Sequence, residues 1–173
     1  MGIDGSSSAL AAARWAAREA GVRRTSIRLV TAFGWMPVHE ADDPAQIVPD
    51  NRDALRRTAE ERLVAAAAEV AEVAPDVAVS RQVTTGTPAG LLVSLSAEAQ
   101  LAVVGHRGLG GFAGLVIGSV GMALAAHAAC PVVVVRGPDA PRRDGPIVVG
   151  LDGSPQSEAI GVARVLVVRS SVR

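Results

Sequence analysis

Residues 105–119 read GHRGLGGFAGLVIGS, six glycines in fifteen positions between the apolar runs LAVV and PVVVV. Each glycine costs roughly 0.5–1 kcal/mol against alanine in regular structure, so something there needs bare backbone or unusual φ values. Phosphate binding needs both. Loop N–H groups, joined by the N-terminus of a helix starting near Ser119, can converge on phosphate oxygens, and glycines let those oxygens approach. The Ser119 hydroxyl adds a donor. In open α/β sheets ligands bind beyond the carboxyl ends of strands, where this loop leaves LAVVG. The stretch predicts a phosphate cradle.

Two familiar cradles are excluded or weakly matched. All 17 basic residues are Arg, so a Walker A loop has no lysine to use. GLGGFA at 108–113 fits the dinucleotide pattern G-x-G-x-x-A, but no Asp or Glu lies between residues 99 and 138 to take a ribose hydroxyl. Catalytic chemistry finds little support. His106 and His127 belong to no Ser-His-Asp order, and no metal-ligand cluster or paired carboxylates emerge from spacing. The acidic run EADD (40–43) reads as a solvated loop. No catalytic residue and no metal site is assigned.

Elements must position that loop. The alanine-rich stretch 6–21 predicts a helix capped by Ser6 or Ser7 and ended by Gly21. Residues 25–33 and 76–86 read as strands, with a turn-rich surface loop at 34–50. The clearest helix is 51–74, with Leu55, Thr58 or Ala59, Leu63, Ala66 and Val70 on one face, stopped by Pro75. Thr87 and Pro88 open a helix over 87–100. LAVVG (101–105) is a wholly apolar strand, a helix follows over 119–129, and PVVVV (131–135) closes the unit. Strands alternating with helices predict an α/β fold with a parallel sheet and right-handed crossovers.

Composition sets the outer bounds. A chain of 173 residues suits one domain with a little left over, and 17 acidic residues balance the basic ones, so no nucleic-acid partner is announced. The single cysteine, Cys130, excludes an internal disulfide and reads as a buried, inert thiol. MGIDGSSS shows no basic n-region or apolar h-region, so the expected location is cytoplasmic. Residues 108–135 lack formal charge apart from His127 and carry G-x-x-x-G spacing at Gly110, Gly114 and Gly118. Their glycine content, and Pro131 leading into VVVV, favour loop, short helix and strand over a membrane span.

Past a linker-like segment (137–145), GIDGSSS at residues 2–8 returns as GLDGSPQ at 150–156, preceded by the apolar PIVV. With this repeat, the spacing Gly105-x2-Gly108-x9-Gly118-Ser119 resembles the G-2x-G-9x-G-(S/T) nucleotide motif of the universal stress protein family. Residues 1–136 resemble one near-complete unit and 146–173 a truncated start of a second, as in the tandem actinobacterial branch.

The resemblance implies a Rossmann-like open five-stranded parallel sheet, order 3-2-1-4-5, with helices on both faces. It further implies a site for ATP with Mg²⁺, in a stress-response module that dimerises through the edge strand Pro131–Val135. Asp4 would contact the nucleoside, Gly2, Ile3 and Ala32 would line the base pocket, and Val104 and Gly105 would present backbone to the adenosine. Gly108, Gly118, Ser119 and Val120 would bind ribose and phosphates, with Arg107 in reach. Asp4 and Ser119 have helix capping open to them as another role, and Arg107 reads equally as a solvated loop charge. ATP turnover would at most be slow, by water and Mg²⁺; a non-binding dimerisation scaffold or a degenerate fragment is the rival function.

One departure concerns the first strand, which is mostly missing ahead of Asp4. Its place would be central, where unpaired backbone is costly. An upstream start, pairing with another chain, or a fold-back of PIVVGLDGS (146–154) that lets Asp152 take the role of Asp4 would each restore it. A second departure is the tail VARVLVVRSSVR, which loses the alanine periodicity expected of a helix.

Overall fold

The structure, a computed structural model, describes residues 1–34, 52–109 and 117–137, and the backbone of a strand at 165–169. In chain order the elements are α1 (Ser7–Arg23), β1 (Ile27–Phe33), α2 (Arg52–Val73), β2 (Val79–Thr85), α3 (Pro88–Leu95), β3 (Ala102–Gly105), α4 (Ser119–His127), β4 (Val132–Arg136) and β5 (Val165–Arg169). A 3-10 turn, Ser96–Glu98, follows α3. Most of the loop expected at 34–50, the linker after Gly137 and the repeat at 146–164 lie outside the described residues.

The fold is α/β with parallel strands, in two sheets: β1 with β2, and β3-β4-β5. The single five-stranded sheet is not what these residues form. The segment Met1–Ile3 runs between the sheets and bonds to both. Val30 N–H donates to Met1 O at 2.9 Å, Ile3 N–H to Val30 O at 2.9 Å, and Gly2 N–H to Val103 O at 3.1 Å. Three residues are too few for a strand, so only an isolated bridge, Gly2 with Val30, forms. Beside Met1, a cavity of about 280 Å³ is walled by Ile27 and Arg28 on one sheet and Ala102 and Val103 on the other. Residues 147–150, expected as one replacement for the strand, are outside the described residues.

Strand side chains alternate between two cores, as a sheet covered on both faces requires. Leu29, Val103, Val133 and Val135 pack under α1 and α2, whereas Val30, Val104, Val132 and Val134 pack under α3 and α4. Helix α1 buries seven alanines, whose small side chains bring its backbone close to the sheet. Helix α2 buries Ala59, Leu63, Ala66 and Val70; Leu55 is half-buried and Thr58 exposed. Cys130 is buried, and burial pushes its thiol pKa up.

Two boundaries differ from expectation. Helix α1 does not stop at Gly21 but runs on to Arg23, because Arg24 adopts the left-handed conformation (φ 51°) and its N–H caps the carbonyls of Ala20 and Gly21. Helix α3 ends at Leu95 rather than near Gln100, where the Ser96 hydroxyl bonds Val93 O at 2.6 Å and the backbone tightens. The outer edge of β4, expected to face a second copy, is paired in parallel with β5 of the same chain.

Candidate functional site

The site is built where the first turn of α1 meets the loop leaving β3. Ser6 is the N-cap of α1, its hydroxyl accepting Ala9 N–H at 3.1 Å and donating to Arg107 O at 3.3 Å. Ser8 Oγ lies 2.9 Å from His106 Nδ1 and 3.5 Å from Arg107 N. Asp4 completes the tie: Oδ1 accepts Ser6 N–H and Oδ2 accepts Leu109 N–H, both at 2.9 Å. The carboxylate therefore sits ahead of the cap rather than acting as it, and holds the loop to the turn.

Two glycines are bare because of this closeness. A Cβ on Gly105 would lie 2.7 Å from the Ser8 carbonyl carbon, and one on Gly108 would lie 2.4 Å from Asp4 Oδ2. Gly118 is the N-cap of α4 and has no side chain to cap with; Ser119 is the first helical residue and is exposed. Gly118 N–H donates to His106 O at 2.9 Å, which brings the start of α4 against the loop. Gly110, Gly111 and Gly114 are outside the described residues.

Every residue assigned above to the nucleotide, from Gly2 to Val120, borders one cavity of about 590 Å³. Such a volume is in the range of small-molecule sites. Its walls fall into two neighbourhoods. Leu92 and Val104 pack beside the bare face of Gly2 and, with Val30, Ala32 and Leu91, form an apolar part. Asp4, Arg62, Arg107, Gly108 and Ser119 supply the polar part. Sequence reasoning missed Arg62, Leu91 and Leu92. Arg62 was legible in principle, since it lies three residues after Ala59 and four before Ala66, at the edge of the buried stripe of α2.

Among the described residues no group of three or more His, Cys, Asp or Glu could hold a metal ion. His106 faces Ser8, and its pKa is held below 6.5 mainly by burial, then by Arg107 and Arg136. His127, in the last turn of α4, is exposed. No described helix is long and apolar enough to cross a membrane.

Comparison with known proteins meets this geometry from outside. The profile of the universal stress protein family matches residues 1–136, so the chain belongs to that family. It is similar to universal stress protein Rv2623 of Mycobacterium tuberculosis, 40% identical over 136 residues, covering 79% of this chain and 44% of the relative. The chain thus corresponds to less than half the length of that relative. Among solved structures it resembles a universal stress protein in complex with cAMP, with 29% identity, TM-score 0.50, and coverage of 79% of this chain and 93% of the other. It also shares its fold with universal stress protein UspA from Lactobacillus plantarum, with TM-score 0.64, 22% identity, and coverage of 77% and 92%.

Proposed function

We propose that this chain is an ATP-binding regulatory module of the universal stress protein family. The observation that carries the reading is the cavity of about 590 Å³ bordered by the Asp4 turn, the 105–109 loop and the start of α4. Its apolar part suits a purine, and its N–H groups, hydroxyl and guanidiniums suit phosphates. A solved relative in complex with cAMP supports an adenine nucleotide as the ligand class. Mg²⁺ would arrive on the phosphates, since Mg²⁺ keeps most of its waters and Asp4 is the one carboxylate among the described residues bordering the cavity.

The reading is one of binding rather than turnover. Among the described residues, the titratable side chains bordering the cavity are Asp4, Arg62 and Arg107, and both Asp4 oxygens already hold N–H groups. A general base is therefore wanting, and the ligand acts as a signal through unequal affinity for two states. Asp4's occupied oxygens also favour a second reading, in which the turn and loop are tied for stability alone and the domain is a scaffold. Homodimerisation through Pro131–Val135 requires β5 to yield that edge.

A thermal-unfolding titration with Mg-ATP separates these functions. Binding predicts a midpoint that climbs with ligand, by the equivalent of about 2.7 kcal/mol at a hundredfold excess over Kd. An unchanged midpoint at millimolar Mg-ATP would establish the scaffold reading.

A further inference from the structure

The Asp4–Gly5 turn carries more than the loop tie. Gly5 has φ +87°, and a Cβ there would meet Cγ of Arg62 at 2.9 Å and its Cδ and Nε at 3.0 Å. The side chain of Arg62, from α2, therefore crosses the bare face of the turn and reaches the cavity beside Asp4 and Gly108. Arg62 is half-buried and forms no ion pair among the described residues, whereas Arg14 and Arg56 pair with Glu69 and Glu60. A partly dehydrated guanidinium without a counter-charge is unfavourable until an anion arrives. Its planar fork matches a phosphate through two parallel hydrogen bonds.

We propose that Arg62 is a phosphate-binding residue of this site, and that it makes the site select nucleotides by their phosphate chain. The proposal rests on the nucleotide-binding reading and names the part of the ligand that is selected. Arg62 lies against Gly5, next to Asp4, whose Oδ2 holds Leu109 N–H. Among the described residues bordering the cavity, Arg62 and Arg107 accompany a single carboxylate, Asp4. That balance suits a ligand with several negative charges and gives a neutral nucleoside no advantage.

The test is calorimetric titration of the 173-residue protein with Mg-ATP, AMP and adenosine, comparing wild type with Arg62→Gln and Arg62→Lys. Arg62→Gln is expected to weaken ATP binding about tenfold or more, to weaken AMP less, and to leave adenosine unchanged. Arg62→Lys should restore part of the loss, since it keeps the charge and loses the fork. Without ligand, the unfolding midpoint of Arg62→Gln should not fall below that of wild type, since the unpaired guanidinium is unfavourable there. If wild type binds ATP and Arg62→Gln leaves the ATP-to-adenosine ratio intact, Arg62 is not a phosphate ligand and the nucleotide reading stands. Parallel loss of ATP and adenosine would mean that Arg62 only shapes the turn, overturning the proposal. Wild type that binds none of the three at millimolar concentration overturns both.

Discussion

Gly105 and Gly108 both lack room for a Cβ, but their neighbours differ in how far they can move. At Gly105 the obstacle is the Ser8 backbone, with its carbonyl carbon at 2.7 Å and oxygen at 2.8 Å, fixed inside α1. Gly105→Ala should therefore destabilise the fold by about 1–3 kcal/mol in urea denaturation; an unchanged midpoint would mean α1 sits farther from β3. At Gly108 the obstacle is the Asp4 carboxylate, which can rotate away if it releases Leu109 N–H. Gly108→Ala should cost only about 1 kcal/mol, the worth of that bond. His106 supplies the pH dependence. Its folded pKa lies below 6.5, so the unfolded chain binds the proton more readily. Stability is then full above pH 6.5 and declines as pH falls below it. His106→Asn, which cannot titrate, should flatten that decline in denaturation midpoints taken on either side.

At the scale of elements, the junction of α1 with the β3 loop decides whether the site exists. Ser6→Ala removes the cap and the bond to Arg107 O together, and should cost about 1 kcal/mol. Faster hydrogen exchange at Leu109 and Gly118 should accompany it, and unchanged exchange there would show that the loop stands without α1. Much of this arrangement was legible beforehand. The stripe of α2, the Thr87–Pro88 start of α3 and the valine strands each carry a local signal, while glycine spacing marked the 105–119 loop and the repeat of GIDGSSS marked the Asp4 turn. What escaped depends on long-range contact. The Ser6, Ser8 and Asp4 bonds to the loop join residues about a hundred positions apart, which no periodicity records. The end of α1 was misjudged because a left-handed Arg24, rather than Gly21, supplies the stop.

The whole molecule shows why the tail resisted a helical reading. VLVVR at 165–169 has the aliphatic, β-branched character of a strand, and the edge of β4 offers it a register from Val132–Val165 to Arg136–Arg169. A covered edge removes a template for self-association. A chain ending at Gly137 should accordingly associate more strongly than the 173-residue protein in size-exclusion chromatography with light scattering. Equal mass for the two would mean that β5 does not guard β4. The division into two sheets follows from the same accounting, since Met1–Ile3 links β1 to β3 with three backbone bonds and no full strand.

The most direct trial of the binding claim is a proton–nitrogen NMR titration with Mg-ATP. The account predicts that amides of Gly2–Asp4, Gly105–Leu109 and Gly118–Val120 shift together and saturate with one Kd, while those of β2 stay still. Silence at these amides up to millimolar ATP, or shifts confined to another face, would contradict it.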